Sequence, residues 1–243
     1  MFHAETLRGL PRPPARPTVI SILRSSTLLN SLSEEDRQNL VEVCHTAFAE
    51  RGESIWTNGA EVDFVGLVGT GFVKMVKCTS SGTELTHELM GPGQMFGLLG
   101  ALEGRGCPLG ARAVTHVWYL KIPFREFKPI YERTLALRDH VVRRATLRLR
   151  QAQDQLARVS TGTVESRIAG VLTMLAESYG RPTEFGTLID VPLTRQDIAE
   201  MAGTTVESTI RVVSKWQKCG YVSTKSRLLT LLDESAIERL VRV

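Results

Sequence analysis

The stretch from residue 192 to residue 222 constrains this chain most, because it reads as two helices joined by a tight turn. Thr194 is placed to cap the first helix, and Asp197 follows three residues later, near the positive end of the helix dipole. Gly203 then ends that helix, since glycine tolerates the left-handed backbone found at helix ends. Thr205 begins a second helix with a polar start and an apolar side. The pattern predicts a helix-turn-helix, although two packed helices of an unrelated domain would show it too.

Two β-prone runs follow Gly220 and flank a short basic turn. Lys225 and Arg227 occupy that turn, where their charges would reach phosphate groups. We therefore predict a β-hairpin wing directly after the second helix.

The segments LTRQDIAEMAG and TTVESTIRVVSKWQKCGYV resemble the DNA-reading winged helix of the CRP/FNR superfamily of bacterial transcription regulators. In that family a Glu and an Arg four residues apart read base edges, and the matching residues are Glu207 and Arg211, one turn apart on one helix face. Residues 30–135 resemble the family's N-terminal β-roll, so the resemblance covers about residues 25–235.

The resemblance implies a homodimer that binds a palindromic site in double-stranded DNA and contacts RNA polymerase. We expect the base-reading residues to be Val206, Glu207, Ser208 and Arg211. We expect contacts to the DNA backbone from Thr194, Arg195, Thr205, Lys215, Lys225 and Arg227.

The composition of the N-terminal half, and with it the predicted secondary structure, changes along the chain. Residues 1–18 are rich in proline and arginine and predict a flexible or extended arm. Ser33 is placed to cap a helix that we expect to run to about Phe48. Frequent glycines between residues 49 and 122 predict a jelly-roll-like double sheet with a turn at 69–71 between paired strands. The predicted strands are Phe64–Val68, Gly71–Cys78, Glu84–Leu89 and Ala111–Ile122.

Residues 124–160 predict one long helix with an apolar seam at heptad spacing, interrupted only by Arg138. The seam residues are Leu135, Val142, Ala145, Leu149, Ala152, Leu156 and Val159. This stripe packs either on a second copy of the chain or on the chain's own β-roll. Because Leu137, Val141 and Leu147 supply a second apolar side for the roll, we favour a dimer seam. The arginines at 143, 144, 148 and 150 are expected to form a solvated face.

The predicted fold class is therefore α+β, with an N-terminal double-sheet β-roll, a long dimerisation helix and a C-terminal winged helix-turn-helix. The expected divisions are an arm at 1–18, a sensor-like roll at 19–130, the dimerisation helix at 131–160 and the DNA-binding domain at 161–243. A strand is expected at Leu188–Val191, and a hinge at residues 160–163.

The sequence predicts no enzyme and no metal site. It has no nucleophile elbow, P-loop or HExxH motif, its five histidines are scattered, and its four cysteines are far apart. The net charge of +4, from 30 basic and 26 acidic residues, is too mild to indicate nucleic acid by itself. Isolated cysteines and the absence of any apolar run of transmembrane length predict a cytoplasmic protein without a membrane partner.

The resemblance also locates a cyclic-nucleotide pocket, and this chain departs from it at three places. Leu98 stands where a Glu is expected, Leu109-Gly110 where an Arg-Ser pair is expected with Arg112 displaced, and Ala152-Gln153 where a Thr-Ser pair is expected. We therefore predict a regulator without cyclic-nucleotide control and without a cofactor.

The alternative is a ligand-, haem- or redox-gated sensor whose effector binds the β-roll. His87 or His116 would serve as the haem ligand, and Cys219 as the redox-sensitive group, although we expect Cys219 to be a quiet, half-buried thiol.

Overall fold

The computed structural model describes residues 15–79 and 82–241, and for residues 151 and 154–161 only the backbone. Residues 1–14 of the predicted arm and the side chains of Leu156 and Val159 therefore lie outside the described part. Within it, no helix is long and apolar enough to cross a membrane.

The N-terminal segment packs on the roll through two short helices, α1 (Val19–Ser25) and α2 (Glu34–Val43), with a 3₁₀ turn at Leu29–Ser31 between them. Ser33 caps α2 by accepting a hydrogen bond from the Asp36 amide, as the sequence predicts. The predicted end at Phe48 is wrong, because α2 stops at Val43 and the chain continues as a strand. Phe48 packs there on Trp118 with ring centroids 4.9 Å apart, and this contact requires extended backbone.

The last residues of the predicted arm are not free. Arg16 donates a hydrogen bond from Nε to Thr46 Oγ1 at 2.8 Å, and its guanidinium lies over the Trp118 ring. Thr18 caps α1. The prediction of an arm reaching residue 18 is therefore wrong for residues 16–18, which are held against the roll.

Eight antiparallel strands within the described residues build the β-roll as two four-stranded sheets. One sheet has the order β1-β8-β3-β6 and the other β2-β7-β4-β5. The strands are β1 His45–Ala49, β2 Ser54–Trp56, β3 Phe64–Thr70, β4 Val73–Cys78, β5 Glu84–Met90, β6 Met95–Phe96, β7 Gly110–Ala113 and β8 Val117–Pro123. The predicted double sheet is confirmed, whereas β1, β2 and β6 were not predicted.

Two details of the predicted strands are wrong. The turn at 69–71 does not join paired strands, because β3 and β4 belong to different sheets. Gly71 has φ +78°, and a Cβ there would lie 2.2 Å from the His116 carbonyl oxygen, so only glycine fits this crossing. The predicted strand Ala111–Ile122 likewise divides into β7 and β8, one in each sheet. A continuous β-prone sequence does not reveal where a chain changes sheets.

The helix predicted over residues 124–160 is two helices, α4 (Phe124–Arg133) and α5 (Leu135–Thr161), after a short α3 (Leu98–Glu103) in the roll. The break falls at Thr134, whose backbone is extended. It allows Phe127 of α4 and, beyond the break, Leu137 of α5 to pack in the same core of the roll.

The C-terminal domain carries helices α6 (Val164–Tyr179), α7 (Arg195–Ala202), α8 (Val206–Lys218) and α9 (Glu234–Val241), and the described strands form one sheet in the order β11-β12-β10-β9. Its strands are β9 Gly180–Thr183, β10 Gly186–Ile189, β11 Val222–Lys225 and β12 Leu228–Leu231. The strand predicted at Leu188–Val191 is present as β10 but begins and ends earlier, and β9 was not predicted.

The two folded parts share a hydrophobic core. Leu89 and Val114 of the roll belong to the same buried cluster as Ile168 of α6 and Met201 of α7. At its edge the Phe72 and Tyr179 rings meet at 90° with centroids 5.5 Å apart. The C-terminal domain is therefore docked on the β-roll of its own chain.

Candidate nucleic-acid interface

The first helix of the helix-turn-helix begins with a complete capping box. Thr194 Oγ1 accepts from the Asp197 amide at 3.1 Å, and Asp197 Oδ2 accepts from the Thr194 amide at 2.9 Å. Gly203 ends α7 with φ +59°, a conformation that glycine adopts without strain. Three positions chosen from the sequence thus fix both ends of this helix.

The second helix, α8, has one buried face and one face that is exposed to solvent. Thr205 caps it by accepting from the Ser208 amide at 3.2 Å. Thr209, Val213 and Trp216 are completely buried and attach one face to the core. The opposite face leaves Glu207 and Arg211 exposed to solvent. A helix presented in this way is able to enter the DNA major groove.

Arg211 has a hydrogen-bond partner on its own helix. Its Nη2 donates to Ser208 Oγ at 3.2 Å, and Ser208 Oγ also lies 3.2 Å from Thr205 Oγ1. The bond links the guanidinium to the first turn of α8, where base-reading side chains are placed in this type of motif. Val206, in the same turn, is half-buried.

Ile210 completes the exposed face, and the sequence reasoning missed it. Its side chain is 49% exposed, beside Arg211 and one turn from Glu207. The signal was present, because position 210 falls off the stripe formed by 209, 213 and 216. An exposed apolar side chain here suits contact with a thymine methyl group.

Two of the cations predicted to contact the DNA backbone are already engaged within the protein. Lys215 Nζ donates to Glu165 Oε1 at 2.9 Å. Arg195 is half-buried and donates to Thr224 Oγ1 at 3.1 Å, which joins α7 to the wing, and burial lowers its pKa. Both cations therefore have carboxylate or hydroxyl partners within their own domain.

The wing is a tight hairpin with an exposed basic tip. Ser226 and Arg227 form its two-residue loop with φ +52° and +67°, and Lys225 precedes them. Positive φ at both loop residues matches the twist of paired strands but disfavours residues other than glycine, asparagine and aspartate. Lys225 and Arg227 are exposed, as expected of phosphate contacts.

The predicted seam on α5 faces solvent in the single chain. Leu135, Val142 and Leu149 are 68%, 64% and 60% exposed, and Ala145 and Ala152 are exposed as well. The seam residues whose side chains are described are therefore not buried against the chain's own roll. Of the residues assigned to the roll, Leu137 is buried, but Leu147 is 55% exposed and does not belong to that contact.

The expectation of a solvated arginine face is wrong for two of its four members. Arg144 donates to Glu88 Oε1 at 2.5 Å, and Arg148 pairs with the other oxygen of Glu88. Arg143 and Arg150 are exposed. A charge pair across two elements cannot be read from the periodicity of one helix.

A small cavity of about 160 Å³ lies between the inner face of the roll and α5. Leu98 and Leu109 line it, at two of the places where a cyclic-nucleotide site would need polar groups, together with Met75 and Phe96. Arg112 instead pairs with Glu84 at 2.6 Å on the sheet. Gln153 is exposed on α5, and Ala152 borders a wider cleft toward the C-terminal domain.

The proposed haem and redox groups lie elsewhere. His87 is exposed beside the wider cleft, and His116 stacks on Phe48 with centroids 5.8 Å apart. The histidine that does line the cavity is His140, whose pKa is lowered by burial and by Arg144 and Arg143. Cys219 is exposed at the end of α8, not half-buried as expected.

In the described ranges, no group of three or more His, Cys, Asp or Glu side chains is arranged to hold a metal ion.

Comparison with known proteins matches both halves of the chain. Residues 47–134 match the cyclic nucleotide-binding domain, and residues 166–240 match the Crp-like helix-turn-helix domain. The chain is 25% identical over 233 residues to the transcriptional activator protein anr of Pseudomonas aeruginosa, covering 95% of this chain and 94% of that protein. It is 27% identical over 194 residues to the global nitrogen regulator of Synechococcus elongatus, covering 78% and 86%.

Solved structures agree on the fold. FixK2 from Bradyrhizobium japonicum superposes with a TM-score of 0.71 at 21% identity, covering 82% of this chain and 97% of that one. A CRP-family transcriptional regulator from Thermus thermophilus gives a TM-score of 0.65 at 26% identity, covering 81% and 97%.

A β-roll of the cyclic nucleotide-binding type followed by a long helix and a Crp-like helix-turn-helix defines a class of DNA-binding transcription regulators. This chain belongs to the CRP/FNR superfamily, whose members are regulators of transcription and not enzymes.

Proposed function

We propose that the chain acts as a homodimer that reads a palindromic DNA site and regulates the adjacent promoter. The exposed face of α8, with Arg211 held at Ser208, carries the proposal. Arg211 would donate two hydrogen bonds to a guanine, and Glu207 would accept from a cytosine amine. The two recognition helices would enter successive major grooves about 34–36 Å apart. Contact with RNA polymerase in the cytoplasm completes the proposed activity.

The seam on α5 supports the dimer. A surface of exposed Leu and Val at heptad spacing, with small Ala between them, fits a second copy of the same helix. Exposed large apolar side chains in a row are costly for a monomer in water, and a two-fold contact removes them together.

The test is a binding-site selection on random duplex DNA, followed by titration of the selected site. Arg211→Ala should weaken binding to the selected site by about 1–3 kcal/mol and relax the choice of base at one position in each half-site. Lys218→Ala, an exposed cation on the last turn of the same helix, is the matched control and should leave base preference unchanged. Equal loss by Arg211→Ala on selected and random DNA would show that Arg211 does not read bases.

We further propose that cyclic nucleotides do not control this regulator and that it needs no haem. The cavity between the roll and α5 has a volume of about 160 Å³, whereas ligand pockets usually enclose about 300–1,000 Å³. Arg144 and Arg148 line this cavity, and both pair with Glu88. A bound phosphate would have to displace that carboxylate. Neither His87 nor His116 lies in the cavity. Titration calorimetry with cyclic AMP and cyclic GMP checks the first point, and micromolar binding of either would contradict it.

A second candidate is control by a small apolar effector, favoured by the apolar lining of the same cavity. DNA binding by protein freed of small molecules separates the two. Full activity of such protein supports the unliganded regulator, whereas activity regained only with a cell extract of small molecules supports the effector.

A further inference from the structure

Lys74 of the β-roll reaches across to the helix-turn-helix. Its Nζ donates to Asp197 Oδ1 at 3.0 Å and to Glu200 Oε2 at 2.6 Å, both on α7. The three side chains are 7%, 9% and 7% exposed, so this ion cluster is buried between the two domains. No pattern in the sequence pointed to it.

Glu200 has two further hydrogen-bond partners in the cluster. Thr86 of β5 donates to Glu200 Oε2 at 3.2 Å, and Gln196 donates to Glu200 Oε1 at 2.9 Å. Burial alone would lower the pKa of Lys74, but the hydrogen bonds and attraction of Glu200 and Asp197 outweigh it and raise that pKa. Lys74 therefore stays charged at neutral pH.

Around α7 the contact between the domains is apolar, through Leu89, Val114 and Met201, and the Tyr179 hydroxyl of α6 adds a polar contact to the Leu89 carbonyl oxygen. Apolar burial favours docking but is non-directional, and it tolerates small displacements. Charge-assisted hydrogen bonds demand one geometry. A buried ion pair adds little net stability over apolar packing, whereas removing one partner leaves an uncompensated charge. The cluster thus determines where α7 sits, while the apolar core supplies the docking energy.

The position of α7 determines that of α8. The Thr204 amide donates to the Ala199 carbonyl at 3.0 Å, and Arg167 Nη1 donates to the Gly203 carbonyl at 3.0 Å. These bonds stiffen the turn between the two helices. A shift of α7 on the roll is therefore passed on to Arg211.

We propose that Lys74 is a positioning residue for DNA reading: it fixes the helix-turn-helix on the β-roll and thereby sets the separation of the two recognition helices in the dimer. Lys74 touches no DNA in this scheme. The inference rests on the proposed dimeric function for its effect on DNA, but the docking itself is measurable without DNA.

The first experiment measures docking in the full chain without DNA. Cys78 on β4 and Cys219 at the end of α8 are exposed, whereas Cys44 and Cys107 are buried, so spin labels report on both domains without new cysteines. Labelled chains are mixed with excess unlabelled chains, so that each dimer contains one labelled pair. We expect one narrow distance peak for the native protein and a broad distribution for Lys74→Met.

Three further variants sharpen this experiment. Lys128→Met removes one exposed positive charge from α4, away from α7, and should keep the narrow peak. Glu200→Gln leaves Lys74 paired with Asp197 and should also keep it. Asp197→Asn with Glu200→Gln removes both carboxylates from the α7 side and should broaden the peak. This double variant carries the test if Lys74→Met does not fold.

The second experiment compares the selected palindrome, the same palindrome with its spacer lengthened by one base pair, and a single half-site. If Lys74→Met leaves about a tenth of the subunits docked, affinity for the palindrome should fall about tenfold or more. Affinity for the half-site should not change, and preference for the native spacer should be lost. A merely structural defect would lower all three affinities together.

A narrow distance peak in Lys74→Met, or equal losses on palindrome and half-site, would overturn the role given to Lys74. Failure of the native protein to prefer any palindrome would instead overturn the proposed function, and the distance distributions would then decide on the docking role alone.

Discussion

Trp216 donates its indole N–H to Glu165 Oε1 at 2.8 Å, and this bond ties the buried side of the recognition helix to the first turn of α6. Lys215 Nζ lies 2.9 Å from the same oxygen. One carboxylate therefore satisfies a buried donor and also holds a cation that would otherwise be free to contact phosphate.

Glu165→Ala should lower the free energy of unfolding by about 1–3 kcal/mol, because the buried indole N–H loses its acceptor. Urea unfolding measures this. Glu165→Gln keeps an acceptor but releases Lys215, and it should steepen the salt dependence of non-specific DNA binding by about one phosphate contact. Glu177→Gln, on an exposed face of α6, is the control. An unchanged salt slope in Glu165→Gln would remove Lys215 from the backbone contacts.

Leu149→Glu should convert the dimer into monomers, because it places an unpaired charge in the seam on α5. Sedimentation measures the change, and binding to palindromic DNA should be lost while the winged helix stays folded. Leu147→Glu is closely matched, since Leu147 lies on the same helix with similar exposure but off the seam. If both variants sediment alike, the seam is not the dimer contact.

The wing tip should show a conflict between stability and DNA binding. Arg227→Gly relieves a positive φ and should raise the free energy of unfolding by about 0.5–1 kcal/mol, while weakening binding to all DNA sequences and lowering the salt slope by about one. Ser226→Asn relieves the strain of the positive φ at position 226 without removing a charge. It should therefore raise the free energy of unfolding and leave DNA binding unchanged. DNA affinity that Arg227→Gly leaves intact would exclude the wing tip from phosphate contact.

Tyr179 should report docking through its ionisation. Its hydroxyl lies 2.7 Å from the Leu89 carbonyl oxygen and 2.9 Å from Gln94 Oε1, and burial raises its pKa from the ordinary value of 10.0 to about 12. Because the folded pKa is raised, this contribution to stability is complete below pH 10 and is lost as the pH rises toward 12.

Absorbance titration of Tyr179→Phe should therefore lack one component that ionises near pH 12 in the native protein. In Lys74→Met, where the domains separate, that component should move toward pH 10. Ionisation of Tyr179 near pH 10 in the native protein would contradict the docked arrangement.

Local signals predicted the DNA-reading part well. Helix ends depend on backbone chemistry within a few residues, so the caps at Thr194 and Thr205 and the helix end at Gly203 can be predicted from one sequence. The hairpin of the wing could be predicted from the sequence in the same way. The exposure of Ile210 also follows from the sequence, because position 210 lies off the buried stripe of α8.

Long-range pairings were not predictable in this way. The change of sheet at Gly71 and the Arg144–Glu88 pair depend on which elements the fold brings together. The same is true of the break at Thr134, where helix-forming sequence on both sides gives way to packing of Phe127 and Leu137 in one core. Lys74 illustrates the limit best, because an alternating strand pattern gives no reason to expect a buried lysine and its partners lie more than 120 positions away.

The two oxygens of the Asp197 carboxylate make different contacts: Oδ2 accepts from the Thr194 amide at the start of α7, and Oδ1 accepts from Lys74. The DNA-binding half is consequently not a self-contained module. If the C-terminal domain were separated from the roll, Asp197 and Glu200 would lose Lys74 as their partner. The apolar side chains of Met201 and Val171, which share a buried cluster with Leu89 of the roll, would become exposed. Transplanting this half onto another sensor would require that sensor to supply a buried cation at the same place.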